Sequence, residues 1–315
     1  MISPDLFDEA KAFDGRILER VANGLIPDLR NASDNDWFFN NPWRKKAYVK
    51  MIFGSYLDFA LKHLSNEKGH VLEIGSGLGH MCLELGRNGY HVTGVELSPE
   101  SVRVANEYYS TLTVSEKGTG TVNYLNDDFM NWKPDRDYDA ICFFLTLHHF
   151  PDPAKVIDRV KSFLKPKGQI IVVEPARDLF SKRNASIVAL IRILLSINNN
   201  WHEKINIPED ISSLNNLSEA ILDEYREAKD HNEKEQSPND NSSYASTMIE
   251  ALNKYFEQET LTYGNTISPR LLGGVRAENE DETIRIASFI KLFDEYATSQ
   301  GIIEPGVFYY AGKLK

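Results

Sequence analysis

The spacing of apolar residues changes along the chain and divides it into four parts. Residues 1–68 carry apolar side chains three and four positions apart, which is the period of amphipathic helices. Between 69 and 176, short β-branched and aliphatic runs alternate with helical stretches, which predicts a parallel sheet covered by helices. Residues 177–254 return to helical spacing, and 255–315 combine a helical stretch with strand-like runs. We therefore expect a helical cap, an α/β core, a helical insertion, and a C-terminal part that completes the sheet.

Residues 70–79, with the sequence HVLEIGSGLG, are the most informative stretch. A buried strand breaks there into three alternating glycines, and the helix that begins near His80 directs its positive N-terminus at this loop. Gly75, Gly77 and Gly79 allow the backbone to approach a ligand where a Cβ atom would clash. A dinucleotide fingerprint has a third small residue at the position of His80, so the spacing departs from that pattern. The stretch predicts a cradle for a nucleotide-type cofactor.

The EIGSGLG pattern in this stretch resembles motif I of the class I S-adenosylmethionine-dependent methyltransferases, and the agreement continues through residues 69–176. Glu96 ends the second predicted strand, where a carboxylate can accept hydrogen bonds from both ribose hydroxyls. Asp128 and Phe129 match the family's third-strand end, where an Asp pairs with the adenine amino group and an apolar neighbour lies on the ring. The resemblance implies S-adenosylmethionine as cofactor, with these binding residues: Glu73, Gly75, Ser76, Gly77, Gly79, Glu96, Leu97, Asp128, Phe129 and Leu145.

The fold that this resemblance implies is a Rossmann-like α/β architecture. Its seven-stranded sheet is mostly parallel, and the last strand is antiparallel. Residues 306–314 resemble that last strand, and we expect it to pair with a strand near residues 258–263. Ligands of such sheets lie beyond the carboxyl ends of the strands, at the point where the strand order reverses. The candidate residues should therefore converge on one crevice.

The catalytic candidates follow predicted strands four and five. Methyl transfer is an in-line displacement, so the protein mainly aligns the acceptor, excludes water and removes the acceptor's proton. The LHHFPD segment resembles sugar and natural-product O-methyltransferases, in which histidines of this loop and an acid after strand five line the acceptor pocket. By that resemblance His148, His149 and Glu174 are the candidates. We favour His149 as the base, with Glu174 orienting it or the acceptor, because a neutral imidazole can take a proton near neutral pH.

The composition restricts the class of substrate. The net charge of −11 supplies no general attraction for phosphate backbones, so no nucleic-acid partner is expected. Cys82 and Cys142 stand in no metal-ligand spacing and are interpreted as small core residues; no metal site is expected. There is no signal peptide and no apolar run of about 20 residues, which predicts a cytoplasmic protein without stable membrane insertion.

The helical cap at residues 1–68 is expected to lie over the cofactor, as such segments often do in related enzymes. Trp37, Trp43 and Tyr56 are its candidates for lining the active site. Packing in the core or on the surface is the alternative for each of them.

Residues 177–254 are expected to form an insertion over the acceptor site, because the family core needs only one helix there. Residues 198–216 are polar and irregular, and 230–243 are so hydrophilic that a loop is expected. We expect this loop and its flanking helices to act as a lid that orders when the acceptor binds. Gly273 and Gly274 are interpreted as part of an ordinary loop.

These features together predict an S-adenosylmethionine-dependent methyltransferase. Its acceptor would be an oxygen or nitrogen atom of a small molecule such as a natural product, a sugar or a lipid-like metabolite. An NAD(P)-dependent oxidoreductase is one alternative, because it also places an acid at the end of the second strand. A non-catalytic binding subunit with the same fold is another. Binding of S-adenosylhomocysteine without a response to NAD(P) would distinguish the methyltransferase from the oxidoreductase. The absence of any bound cofactor would favour the non-catalytic subunit.

Overall fold

The computed structural model describes residues 6–39, 41–227 and 237–315, so the first half of the polar loop predicted at 230–243, residues 230–236, lies outside the described residues. The helices in these ranges are α1 (Phe7–Ala22), α2 (Lys46–His63), α3 (His80–Arg87), α4 (Pro99–Thr111), α5 (Val114–Lys117), α6 (Pro153–Lys161), α7 (Lys182–Ile197), α8 (Ile211–Arg226), α9 (Ala245–Tyr255), α10 (Ser268–Leu271) and α11 (Glu280–Ser299). The strands are β1 (His70–Ile74), β2 (His91–Glu96), β3 (Thr121–Asn126), β4 (Tyr138–Phe144), β5 (Leu164–Pro175), β6 (Phe256–Gly264) and β7 (Val307–Leu314). None of the described helices is both long and apolar enough to cross a membrane.

One seven-stranded sheet runs through the molecule in the order β3-β2-β1-β4-β5-β7-β6. The neighbours from β3 to β5 are parallel, and β7 is antiparallel to both β5 and β6. The predicted fold, a mostly parallel sheet with an antiparallel last strand, is confirmed. The chain moves outward from β1 to β3 and then returns to the other side of β1, so the strand order reverses between β1 and β4. This reversal is where the fold places a ligand site.

Helix starts after two of these strands are determined by capping residues. The Ser98 hydroxyl accepts a hydrogen bond from the amide of Ser101 at 3.0 Å, and α4 begins with a proline directly after it. The Asp152 carboxylate accepts one from the amide of Lys155 at 3.0 Å, and α6 likewise begins with a proline. A side-chain acceptor followed by proline is a strong helix-start signal. Both caps lie at the carboxyl edge of the sheet and shape the loops that surround the site.

The two faces of the sheet bury separate apolar cores. Successive side chains of β4 alternate between the two cores: Ile141 and Phe143 belong to one, and Ala140 and Cys142 belong to the other. Both cysteines of the chain are buried and free, in agreement with their interpretation as small core residues. The core that contains Cys142 also includes side chains of the N-terminal helices, which pack over the sheet beside the strand-order reversal.

Two local predictions are wrong. Helix α8 begins at Ile211, inside the stretch predicted to be irregular, because the Asp210 carboxylate caps it and accepts from the amide of Ser213 at 2.7 Å. Gly273 and Gly274, interpreted as part of an ordinary loop, lie buried in a short 3₁₀ helix, Leu272–Gly274, and a Cβ atom on Gly274 would lie 2.1 Å from Cη2 of Trp201. The close approach of the Trp201 ring requires glycine at this position. The division into cap, core, insertion and C-terminal part stays a prediction.

Candidate active site

The loop after β1 presents its backbone to a cavity. Gly75, Gly77 and Gly79 all have positive φ, at 69°, 52° and 78°. A Cβ atom on Gly75 would lie 2.1 Å from Thr146 Cγ2, and one on Gly79 would lie 2.2 Å from Tyr124 Cε1, so protein packing requires these two glycines. At Gly77, by contrast, no described heavy atom lies within 4 Å of the Cβ position. Gly77 is therefore the point at which a ligand can approach the backbone.

Glu96, the last residue of β2, is held against this loop. Its carboxylate accepts hydrogen bonds from the amides of Gly77 and Ser98, each at 2.8 Å. Burial raises the pKa of Glu96, and the backbone amides oppose that effect by stabilising the charged form. Glu96 and Gly77 line the same cavity. A ligand that covers Gly77 would thus meet the carboxylate of Glu96.

Two buried polar atoms beside the loop have no hydrogen-bond partner among the described residues. They are Oε2 of Glu73 and Oγ of Ser76, and both residues line the cavity. Burial raises the pKa of Glu73 to about 8, and the charge of nearby Glu96 adds to this. Buried polar atoms without a protein partner are commonly completed by an ordered water, an ion or a bound group. A cationic ligand group would also stabilise the ionised form of Glu73.

The remaining predicted cofactor residues also line this cavity. They are Leu97, Asp128, Phe129 and Leu145. The Asp128 carboxylate accepts from the amide of Met130 at 2.9 Å and from Nδ2 of Asn131 at 2.6 Å, so it also shapes the turn after β3. Leu145 adopts the left-handed region with φ of 57°, which is uncommon for a residue other than glycine. The structure thus places all of the predicted residues except Gly79 on one cavity wall.

The cavity has a volume of about 1110 Å³. Pockets for one small molecule are typically about 300–1000 Å³, so the space suits a cofactor together with an acceptor. The N-terminal part of the chain supplies much of the apolar wall, through Phe13, Ile17, Trp37, Phe38, Trp43, Phe53 and Tyr56. The three cap residues that were candidates for lining the site are all among them.

Glu174 is completely buried and holds the loop after β4 in place through hydrogen bonds. One carboxylate oxygen accepts from the amides of Thr146 and Leu147, both at 2.7 Å. The other oxygen accepts from the His148 amide at 3.3 Å and contacts His148 Nδ1 at 2.7 Å. We expected Glu174 to orient His149 or the acceptor, and the structure places it on His148 instead. The physical reason is that the turn after β4 directs the amides of three successive residues at this completely buried carboxylate.

The two histidines occupy different electrostatic environments. Burial alone would lower the pKa of His148, but the carboxylates of Asp240 and Glu174 raise it above its ordinary value. Burial lowers the pKa of His149, and the neighbouring charge on His148 adds to this, because the ring centres are only 4.3 Å apart. The carboxylates of Glu9 and Asp240 oppose the shift of His149 without reversing it. His148 is thus biased toward the charged form and His149 toward the neutral form, a separation typical of acid/base pairs.

Sequence reasoning missed three residues around the histidines. Glu9 comes from α1, and its Oε1 lies 3.3 Å from Nδ1 of His149. Ser237 and Asp240 come from the second half of the hydrophilic loop predicted at 230–243, and they are only 3% and 1% exposed. An acid on a surface helix and polar residues in a hydrophilic loop both indicate solvent exposure, so the sequence carried no signal for their burial.

The cluster formed by the two histidines and Asp240 could also hold a metal ion. Within the described part of the chain, His148, His149 and Asp240 offer ligand atoms that all lie within 4.8 Å of one another. The sequence led us to expect no metal site. The guanidinium of Arg177 lies 3.4 Å from Asp240 Oδ1 and already places a positive charge beside that carboxylate.

Comparison with known proteins shows the family to which the chain belongs. A family model described as a methyltransferase domain matches residues 45–220, more than half of the chain. A ubiquinone biosynthesis O-methyltransferase of Xylella fastidiosa (strain M23) is 35% identical over 119 residues, which are 37% of this chain and 46% of the relative. One of Coxiella burnetii (strain Dugway 5J108-111) is 28% identical over 146 residues, or 45% and 59%. The chain spans about half the length of the curated relatives it matches.

Solved structures with a similar fold cover nearly the whole chain. A geranyl diphosphate C-methyltransferase from Streptomyces coelicolor A3(2), solved with S-adenosyl-L-homocysteine, has a TM-score of 0.52 at 14% identity, with 99% of each chain covered. The [4+2]-cyclase SpnF has a TM-score of 0.51 at 14% identity, covering 98% of this chain and 94% of its own. At these identities the likeness shows the fold alone.

Proposed function

The chain belongs to the class I family of S-adenosylmethionine-dependent methyltransferases, and from that premise we propose that it transfers a methyl group to an oxygen atom of a largely apolar small molecule. The family and the S-adenosylmethionine cofactor that the sequence predicted are thereby confirmed. One observation carries the proposal. The glycine loop after β1 and the histidines after β4 open on the same cavity, and β1 and β4 are adjacent where the strand order reverses.

The residues of the cavity fit the cofactor. When bound, S-adenosylmethionine supplies a methyl group that is already activated by the positive charge of its sulfonium. The open space over Gly77 accommodates a ligand against the backbone, and Glu96 is placed to accept hydrogen bonds from ribose hydroxyls. The unsatisfied polar atoms of Glu73 and Ser76 suit the charged methionine part. We assign the adenine to the wall formed by these residues: Leu97, Asp128, Phe129 and Leu145.

His149 is the residue to which we assign removal of the acceptor's proton. It lines the cavity, and its lowered pKa keeps the ring neutral at pH values where His148 is biased toward the charged form. A neutral imidazole next to a hydroxyl can act as a general base. Glu174 contributes indirectly, because it holds His148 and the turn on which His149 stands.

The acceptor's character follows from the walls that the cofactor residues do not use. These walls are mostly aromatic and aliphatic side chains of the N-terminal part, which would bury apolar surface of the acceptor at about 25 cal/mol per Å². The relatives are O-methyltransferases, which supports oxygen as the acceptor atom. A nitrogen atom is the second candidate, because the buried carboxylate of Glu9 lines the cavity and would attract an ammonium group.

Methyl transfer from labelled S-adenosylmethionine to a panel of alkylated phenols, catechols and amines tests the proposal. We expect a phenol or catechol to accept the label under single-turnover conditions. His149→Ala should lower that rate about 10²- to 10⁴-fold while the affinity for S-adenosylhomocysteine stays unchanged. The wild-type rate should fall as the pH drops through the lowered pKa of His149. A His149→Ala rate within tenfold of the wild type would refute the assignment of the base.

Cofactor titrations address the alternative functions. Calorimetry should show binding of S-adenosylhomocysteine and no heat with NAD(H) or NADP(H). Binding of a nicotinamide cofactor would instead favour an oxidoreductase. Binding of no cofactor at all would favour a non-catalytic subunit.

A further inference from the structure

Glu9 is a buried acid on an otherwise ordinary amphipathic helix. It is 3% exposed, whereas its neighbour Asp8 is exposed to solvent. All of its hydrogen-bond partners come from other parts of the chain. Its carboxylate accepts from the hydroxyl of Ser237 and, at 2.8 Å, from the amide of Asn239, and it lies 3.3 Å from Nδ1 of His149. A buried carboxylate with such partners must contribute more than helix formation, since burial of an acid is costly.

The contact between the Glu9 carboxylate and the His149 ring determines which ring nitrogen carries the proton. An ionised carboxylate can only accept a hydrogen bond, and a neutral imidazole has one N–H and one lone pair. Burial alone would raise the pKa of Glu9, but the hydrogen bonds from His149, Ser237 and Asn239 outweigh it and lower the pKa, which favours the ionised form. The Ser237 hydroxyl also lies 3.3 Å from His149 Nδ1, and because it donates its proton to Glu9 it can only accept from the ring. Both neighbours of Nδ1 are therefore acceptors, so His149 Nδ1 must carry a proton. The lone pair is left on Nε2 of His149.

The other charged groups near His149 do not compete for this proton. Oδ1 of Asp240 is 4.0 Å from His149 Nε2, beyond hydrogen-bond distance. The same oxygen lies nearer to His148 Nε2, at 3.6 Å, and to the Arg177 guanidinium, at 3.4 Å. His148 is itself fixed through Nδ1 by the carboxylate of Glu174. Glu9 is thus the acid within reach of a ring nitrogen of His149.

We propose that Glu9 is a positioning residue, which keeps the proton on Nδ1 of His149 and so leaves the lone pair of Nε2 available to the acceptor. The inference rests on the proposed function, because it concerns the base of that reaction. It also makes helix α1 a part of the catalytic apparatus. The catalytic loop after β4 would be incomplete without this helix.

Nitrogen-15 NMR of the histidine rings tests the inference without any acceptor. The sample is the full chain labelled with ¹⁵N-histidine and saturated with S-adenosylhomocysteine, and the signal of His149 is the one lost in His149→Ala. We expect the Nδ1–H tautomer in the wild type and in the matched control Asp8→Asn. Glu9→Gln, which keeps the size and removes the charge, should convert His149 to a mixture of tautomers.

Three NMR results would overturn the inference. They are an Nε2–H tautomer in the wild type, a Glu9→Gln spectrum identical to that of Asp8→Asn, and a His149 signal that changes when bound metal is removed with EDTA. The last result would place a metal ion on the ring. If Glu9→Gln fails to fold, Ser237→Ala provides a second variant. It removes the hydroxyl that contacts both Glu9 and His149 Nδ1 and leaves the charge of Glu9, so the Nδ1–H tautomer should persist. A mixture of tautomers in Ser237→Ala would assign the proton position to Ser237 instead of Glu9.

Kinetics with an accepting phenol or catechol give a second readout. Glu9→Gln should lower kcat at least tenfold with KM nearly unchanged, and should shift the acid limb of the pH profile to lower pH. In a His149→Ala background the same substitution should have no further effect on kcat, because Glu9 acts through His149. An equal loss in both backgrounds would show a purely structural role. If no compound of the panel accepts a methyl group, that result counts against the proposed function. The NMR experiment would still decide the tautomer of His149.

Discussion

Substitution of Gly77 by alanine separates the cost of a strained backbone from the cost of lost ligand space. Gly77 has a φ of 52°, and no described atom lies within 4 Å of the position that a Cβ atom would take. The added methyl group therefore meets no protein atom among the described residues. It does occupy the space over the loop that we assign to the cofactor. The amide of Gly77 stays in place, so its hydrogen bond to Glu96 is retained.

Gly301, just after the C-terminal end of α11, offers a matched control. It has a φ of 65°, and again no described atom lies within 4 Å of its Cβ position. A residue with a side chain in the left-handed region costs roughly 1–2 kcal/mol of stability. Gly77→Ala and Gly301→Ala should therefore lose the same free energy of unfolding, about 1–2 kcal/mol. The two variants should differ only in cofactor binding.

Urea unfolding and calorimetric titration with S-adenosylhomocysteine measure the two effects. We expect the affinity of Gly77→Ala to fall at least tenfold, because a ligand in contact with the glycine backbone cannot keep its position. Gly301→Ala should bind like the wild type. An affinity of Gly77→Ala within threefold of the wild type, in a folded protein, would show that the cofactor does not lie over this loop.

Three further substitutions test other parts of the structure. Glu96→Gln removes charge-assisted hydrogen bonds worth about 1.5–3 kcal/mol each, so calorimetry should show at least a tenfold loss of S-adenosylhomocysteine affinity, and unchanged affinity would remove Glu96 from the ribose. Glu73, with its pKa raised to about 8, is mostly protonated at pH 7, so the cationic cofactor should release a proton on binding at pH 7 but little at pH 9. Titrations in buffers of different ionisation enthalpy measure this release, and persistence of the release in Glu73→Gln would contradict the assignment. Gly274→Ala should cost about 1–3 kcal/mol of stability by overpacking against Trp201, whereas Gly264→Ala, with its nearest contact at 3.6 Å, should cost less; equal urea midpoints for the two variants would contradict this.

The parts of the structure that could be predicted depend on local sequence. Gly75 and Gly77 take up positive φ directly after a short buried strand, so the cradle could be predicted from ten residues. The position of Glu96 could be predicted as well, because one βα unit brings the end of the next parallel strand beside that loop. The order of helices and strands likewise follows from changes in hydrophobic period, and those are visible in the chain.

The contacts that could not be predicted join distant segments. The contact between Glu9 and His149 depends on how α1 packs over the sheet, and no periodicity carries that information. Asp240 was missed for a related reason, because a carboxylate in a hydrophilic stretch is solvated unless distant cations and histidines surround it. Helix α8 was placed too late because the apolar spacing was given more weight than the cap at Asp210.

A crystal structure of the protein with sinefungin tests the central claim most directly. The amine of this analogue stands in for the methyl group of S-adenosylmethionine. We expect the ribose on Glu96, backbone contact at Gly77, and the amine directed at His149 Nε2 with room for one acceptor atom between them, about 5–6 Å away, since a base lies about 3 Å from the atom whose proton it takes. An amine directed away from His149, or an analogue bound outside this cavity, would contradict the account.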